Sequence, residues 1–169
     1  MKKVITTVIL VIVSFVLQCT VFRGLAIHGI VPNILIILTA STGFMQGERF
    51  GVFTGFFCGL LLDIFFFEII GFYALLYMYI GYMNGLFHNI FYPDDIKLPL
   101  IMITVSDLLY SLVVYMLLFL LRSRFDFGYY FLNIILPELV YTIFVAVIFY
   151  PLLLLISDLF SRAEKRKEE

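Results

Sequence analysis

Long apolar runs separated by short polar breaks account for most of the chain, and several approach the ~20 residues a helix needs to cross a hydrocarbon core. The first run spans Val4 to Phe22, and Arg23, Gly24, His28 and Gly29 mark the connection after it. Pro32 stands where a second helix can begin, because the N–H that proline lacks would have no partner in a first turn. That second run, Val31 to Met45, is short, and Gln46-Gly47-Glu48-Arg49 reads as a tight polar turn. A third run covers Phe50 to Phe67, Glu68 and Gly71 break it, and a fourth covers Phe72 to Leu86. His88 to Pro99, with Pro93, Asp94, Asp95 and Lys97, is the most polar internal break. The fifth run is Leu100 to Leu121, followed by a loop with Arg122, Arg124, Asp126 and Gly128. Tyr129, Tyr130 and Phe131 trail it, suited to interfacial depth. The sixth run, Leu132 to Ile156, carries Pro137 and Pro151.

The fold this predicts is an all-α integral membrane protein, a bundle of six transmembrane helices over residues 1–160 with a charged tail at 161–169. Six spans put both termini on one side. With the termini inside, Lys2, Lys3, Arg49, Lys97, Arg162, Lys165, Arg166 and Lys167 are cytoplasmic, against Arg23, Arg122 and Arg124 outside. That imbalance predicts cytoplasmic termini. The second and third runs are short enough to form a hairpin that does not fully span.

Within the third run, Gly51, Gly55, Gly59 and Asp63 recur at every fourth residue, so on a helix they share one slowly drifting face. In water such a helix is poor, since each glycine costs about 0.8–1 kcal/mol relative to alanine. In a bilayer the same face is a close-packing surface, because small residues let two backbones approach. Gly43 and Gly47 extend the register backwards. One unbroken helix from Pro32 to Phe67 would be about 54 Å long, far beyond a core of about 30 Å. A turn at Glu48-Arg49 is therefore expected, with glycines on both arms. Tyr77 and Gly81 share a face of the fourth run that suits packing against the third.

Composition agrees with the pattern. Hydrophobic residues make up 63% and charged residues 14%, with mean hydropathy +1.11. A soluble domain has roughly 45–50% apolar and about 25% charged residues, so there is too little polar surface here to cover a soluble core. The net charge of −1 and the lack of a basic stripe outside the tail give no reason to invoke nucleic acid. Cys19 and Cys58 sit inside apolar runs and read as small hydrophobes rather than a disulfide pair. No small-x-small cleavage site follows the first run, which reads as an uncleaved span. The 20 Phe and 11 Tyr, including Phe65-Phe66-Phe67 and Tyr73, Tyr77, Tyr79 and Tyr82, suit lipid contact and interface belts.

An ionisable side chain at mid-membrane costs about 2.5–3.5 kcal/mol on insertion scales, so Asp63, Asp107 and Glu138 each require a reason. Gln18, Asn84 and Ser106 are their neutral company. One reading makes the carboxylates interfacial or hydrogen-bonded to neighbouring helices. A second makes them a polar pocket for a proton, ion or small ligand, and a third a contact with a partner membrane protein. No Ser/His/Asp set, phosphate-binding loop, HExxH motif or metal-ligand spacing is present, and neither a catalytic role nor a cofactor is expected.

Several of these motifs together resemble one bacterial family. Pro32-Asn33-Ile-Leu, Gly51-x3-Gly55-x3-Gly59-Leu-Leu-Leu-Asp63, Gly71-Phe-Tyr-Ala-Leu-Leu-Tyr and Gly81-Tyr resemble the rod shape-determining protein MreD. The specific part lies between Pro32 and Gly85; the second half matches mainly in hydropathy, apart from Pro137-Glu138. The resemblance implies a non-enzymatic subunit of the cell-elongation complex, organising peptidoglycan synthesis and cell shape from the cytoplasmic membrane. Its implied partners are the bitopic protein MreC and, through it, the MreB filament, RodA and a class B penicillin-binding protein. It also implies a fold similar to the substrate-binding components of energy-coupling-factor vitamin transporters. Pro32, Asn33, Gly55, Gly59, Asp63, Gly71 and Gly81 are the positions it marks here, for close helix packing and a fixed polar contact. The alternative is a vitamin-binding transporter subunit, though the first run is β-branched and lacks the alanine-rich docking face expected of one. A weaker alternative, an ion-coupled flippase-type transporter, requires Asp63, Asp107 and Glu138 to converge.

Overall fold

The computed structural model describes residues 2–66, 70–90, 92, 95–122 and 126–165. Phe67, Glu68, Pro93, Asp94, Arg124 and the end of the tail lie outside these residues. The described chain is helical apart from short connections. In order it forms α1 (Lys2–Leu17), extended by a π-helical turn (Gln18–Phe22), α2 (Ile34–Gln46), α3 (Glu48–Phe66) and α4 (Phe72–Leu86). These are followed by α5 (Lys97–Arg122), the short α6 (Phe127–Tyr130), a second π-helical turn (Phe131–Ile135) and α7 (Leu136–Lys165). Four helical stretches are long and apolar enough to cross a membrane: Lys3–Phe22, Glu48–Phe66, Lys97–Leu117 and Phe127–Leu159.

Two helices are shorter. At 1.5 Å per residue, α2 is only about 20 Å long and α4 about 22 Å. The shortness of α2 is tolerable because it does not face lipid: every residue from Ile34 to Met45 is buried. It is the axis of the bundle, in contact with α1, α3, α4, α5 and α7. Irregular backbone at membrane depth is stable only where protein covers it, which is the situation of the extended residues before α2. By contrast α1 is peripheral, burying Thr7, Val11 and Ser14 while Ile5, Ile9, Ile12 and Val16 face outward.

Three features differ from the sequence reading. The reversal between α2 and α3 occurs at Gly47, not at Glu48-Arg49: Gly47 adopts φ 92°, open to glycine and costly for other residues, and Glu48 already begins α3. The last helix continues to Lys165, into the region read as a tail. Tyr73 and Tyr77 are core residues, at 3% and 0% exposure, whereas Tyr79 and Tyr82 do face outward.

Candidate functional site

The glycines of α3 lie against the backbone of α4. A Cβ added at Gly51 would fall within 3.0 Å of the Gly81 carbonyl group, one at Gly55 would meet the Tyr77 carbonyl, and one at Gly59 would meet Tyr73 and Ala74. The contact is reciprocal, since Gly81 faces Gly51 and Gly85 faces the Glu48 backbone. α2 joins at the same level: a Cβ at Gly43 would stand 2.6 Å from the Gly81 carbonyl oxygen. Three backbones therefore converge where Gly43, Gly51 and Gly81 meet. Close approach of this kind maximises van der Waals contact where lipid offers no hydrophobic drive for helix association. The glycine face is filled from within the chain.

At the other end of the same helix pair, Asp63 is completely buried. Its Oδ2 accepts the backbone N–H of Gly71 at 2.9 Å and of Ala74 at 3.0 Å, and its Oδ1 accepts that of Tyr73 at 3.0 Å. The first N–H groups of any helix lack intrahelical partners, and the residue at the cap position of α4, Gly71, has no side chain to offer. Gly71 supplies the turn instead, at φ 106°. The carboxylate of α3 thus caps the start of α4 from across the interface, where the helix dipole favours negative charge.

Asn33 does the equivalent work for α2. Its Oδ1 accepts the N–H of Ile36 at 3.3 Å and the Tyr77 hydroxyl at 2.9 Å, while its own N–H donates to Thr142 Oγ1 at 3.1 Å. The Leu35 N–H donates to Gln18 Oε1 at 3.1 Å, and the Ile34 N–H to the Pro32 carbonyl at 3.2 Å. The N–H groups at the start of a helix that begins inside the protein are therefore satisfied by the two residues before α2, by the π-turn after α1 and by α7. Pro32, without an N–H, adds no donor to this set. Gln18, Tyr77 and Thr142 carry it, yet nothing in the local sequence around them assigns that role; only the meeting of three distant segments does.

The remaining membrane-depth carboxylates lie elsewhere. Asp107 on α5 is 1% exposed, and among the described residues neither of its oxygens lies within close hydrogen-bond distance of a partner. The Thr142 hydroxyl and Glu138 are its neighbours on α7, and Tyr110, one turn further along α5, packs its ring 5.4 Å from that of Tyr77. Asp63 is fully committed to the start of α4, so Asp107 and Glu138 are neighbours without it and the three carboxylates do not converge on one site. Asn84 on α4 donates to Ser106 Oγ on α5 at 2.7 Å. Among the described residues, no group of three or more His, Cys, Asp or Glu side chains is placed to hold a metal ion.

A family model described as rod shape-determining protein MreD matches residues 1–159. The chain belongs to this family. No match was found among curated proteins or among solved structures. MreD membership makes the chain a rod-shape-determining membrane protein, in agreement with helices long and apolar enough to span a bilayer. For an MreD protein the arrangement described here is structural in kind. Its small-residue face and its most deeply engaged carboxylate both join one part of the chain to another.

Proposed function

We propose that this MreD-family protein is a non-enzymatic scaffold of the rod elongation complex, holding a bitopic MreC-like protein in the bacterial cytoplasmic membrane. Through that partner it acts with the MreB filament, RodA and a class B penicillin-binding protein to organise peptidoglycan synthesis. The observation that carries the reading is that α2, α3 and α4 are locked together by Gly43, Gly51, Gly55, Gly59 and Gly81. Their polar ends are closed by Asn33 and Asp63. Such a core presents a rigid body to a partner rather than a moving catalytic or transport element. Pro32, Asn33, Gly51, Gly55, Gly59, Asp63, Gly71 and Gly81 are accordingly internal packing and capping positions, and the partner meets the outer helices.

The same proposal includes six spans with cytoplasmic termini. The cation imbalance supports the orientation. The complete burial of α2 supports the count, because a helix without lipid contact need not match the hydrocarbon thickness. The likeness to vitamin-transporter binding components belongs here too, resting on the six-helix pattern. The test is co-purification of the full-length protein with a tagged MreC-like protein in mild detergent, expected to give one co-eluting species. Separate elution when both are correctly inserted would sink the scaffold reading. Nanomolar binding in a calorimetric titration with a panel of vitamins would replace it with the transporter reading.

A further inference from the structure

The end of the bundle that carries Lys3 holds a cleft for which scaffolding has no use. α1 packs on α2 and α3, and α7 packs on α2 and α5, so these outer helices stand on either side of α2. Between them lies a cavity of about 310 Å³, at the small end of ligand pockets. Its polar lining includes Lys3, Ser41, Thr42, Gln46, His88 and Ser157, and no Asp or Glu is among the described lining residues.

Two of these groups point to a ligand. Ser41 is 1% exposed and its Oγ has no hydrogen-bond partner among the described residues. Gln46 Oε1 is buried without one as well. Buried polar atoms are nearly always paired, and these two have complementary demands. The Ser41 hydroxyl can donate to an anionic oxygen, and the Gln46 carbonyl can only accept from a donor. The His88 ring is held in place by Nδ1, 3.0 Å from the Phe44 carbonyl oxygen. Lys3, in the first turn of α1, sits where lysine side chains reach headgroup depth. Next in sequence to lining residues Thr6, Leu10 and Leu153, the side chains of Ile5 and Ile9 on α1 and Leu152 on α7 are exposed, giving acyl chains an apolar surface.

We propose that this cleft binds the phosphodiester headgroup of an anionic, hydroxyl-bearing phospholipid of the phosphatidylglycerol type. The phosphate oxygens accept from Ser41 and lie near the Lys3 ammonium, and a headgroup hydroxyl donates to Gln46 Oε1. Inorganic phosphate shares the anionic chemistry but lacks the acyl chains that would lie along α1 and α7.

The test follows thermal unfolding of the full-length protein in uncharged detergent with added phosphatidylglycerol, phosphatidylcholine or inorganic phosphate. Phosphatidylglycerol alone is expected to raise the midpoint. Ser41→Ala and Lys3→Gln should each raise its half-saturating concentration about tenfold, the loss of one hydrogen bond to a charged group. Lys3 is exposed, so its variant keeps the test decisive even where Ser41→Ala fails to fold. Equal stabilisation by phosphatidylcholine, or unchanged phosphatidylglycerol affinity in the variants, overturns the proposal. A response to inorganic phosphate matching that to the lipid overturns the lipid assignment and leaves a soluble-anion site.

Discussion

Replacing Asp63 isolates the cap that joins α3 to α4. The carboxylate accepts three backbone N–H groups at 2.9–3.0 Å and has no solvent exposure. A hydrogen bond to a charged group contributes about 1.5–3 kcal/mol. Bonds within one network do not add fully, so Asp63→Ala should cost about 3–6 kcal/mol. Asp63→Asn is more diagnostic because it keeps the shape. Its amide oxygen can retain the two bonds that Oδ2 makes, but its NH₂ group then faces the Tyr73 N–H, donor against donor. One bond and the charge are lost, a cost of about 2–3 kcal/mol, which is a melting shift of roughly 5–10 °C for a chain of this size.

Cys58 provides the assay. It is fully buried on α3, whereas Cys19 is half-buried. In a Cys19→Ser background a fluorogenic maleimide therefore reports the opening of α3 on heating. An Asp63→Asn protein melting indistinguishably from its parent would refute the assignment of Asp63 as the cap of α4. A graded loss, Ala worse than Asn, would support it.

Two further outcomes follow from the same geometry. Gly55→Ala places a Cβ against the Tyr77 backbone and should cost about 1–3 kcal/mol by overpacking. Gly24→Ala, with nothing within 4 Å of the new Cβ, should be nearly neutral, and equal melting of the two would remove the close-packing account. Asp107→Asn should lower the melting temperature by less than Asp63→Asn does, because the carboxylate it removes has no close hydrogen bond among the described residues and only the Thr142 hydroxyl nearby. A fall as large as that of Asp63→Asn would show that Asp107 has a partner in the membrane.

Much of the architecture was legible because bilayer physics writes itself into composition and run length. Apolar runs near the span length, cation distribution and a four-residue glycine period are local properties, and they located the helices to within a few residues. The fourth run coincides with α4 at both ends. The turn before α3 falls within the Gln46–Arg49 stretch read from the sequence, but at Gly47 rather than Glu48-Arg49, because a register of glycines does not say which one adopts φ 92°; only the meeting of two packed helices selects Gly47. Likewise Tyr73 reads as a belt aromatic, and Tyr77 as either a belt or a packing residue, because side-chain chemistry does not reveal which face of a helix is covered.

What the sequence determined by itself was membrane class, helix positions and the presence of a small-residue face ending in a carboxylate. Tertiary structure alone decided what those features touch. It set α4 on the glycine face and turned the Asp63 carboxylate onto the N–H groups of Gly71, Tyr73 and Ala74. It also brought Gln18 and Thr142 from distant segments to close the start of α2. The reason is one of range: hydrophobicity and helix period are fixed within a few turns of chain. The partner of a buried donor or acceptor is fixed only when separate helices meet.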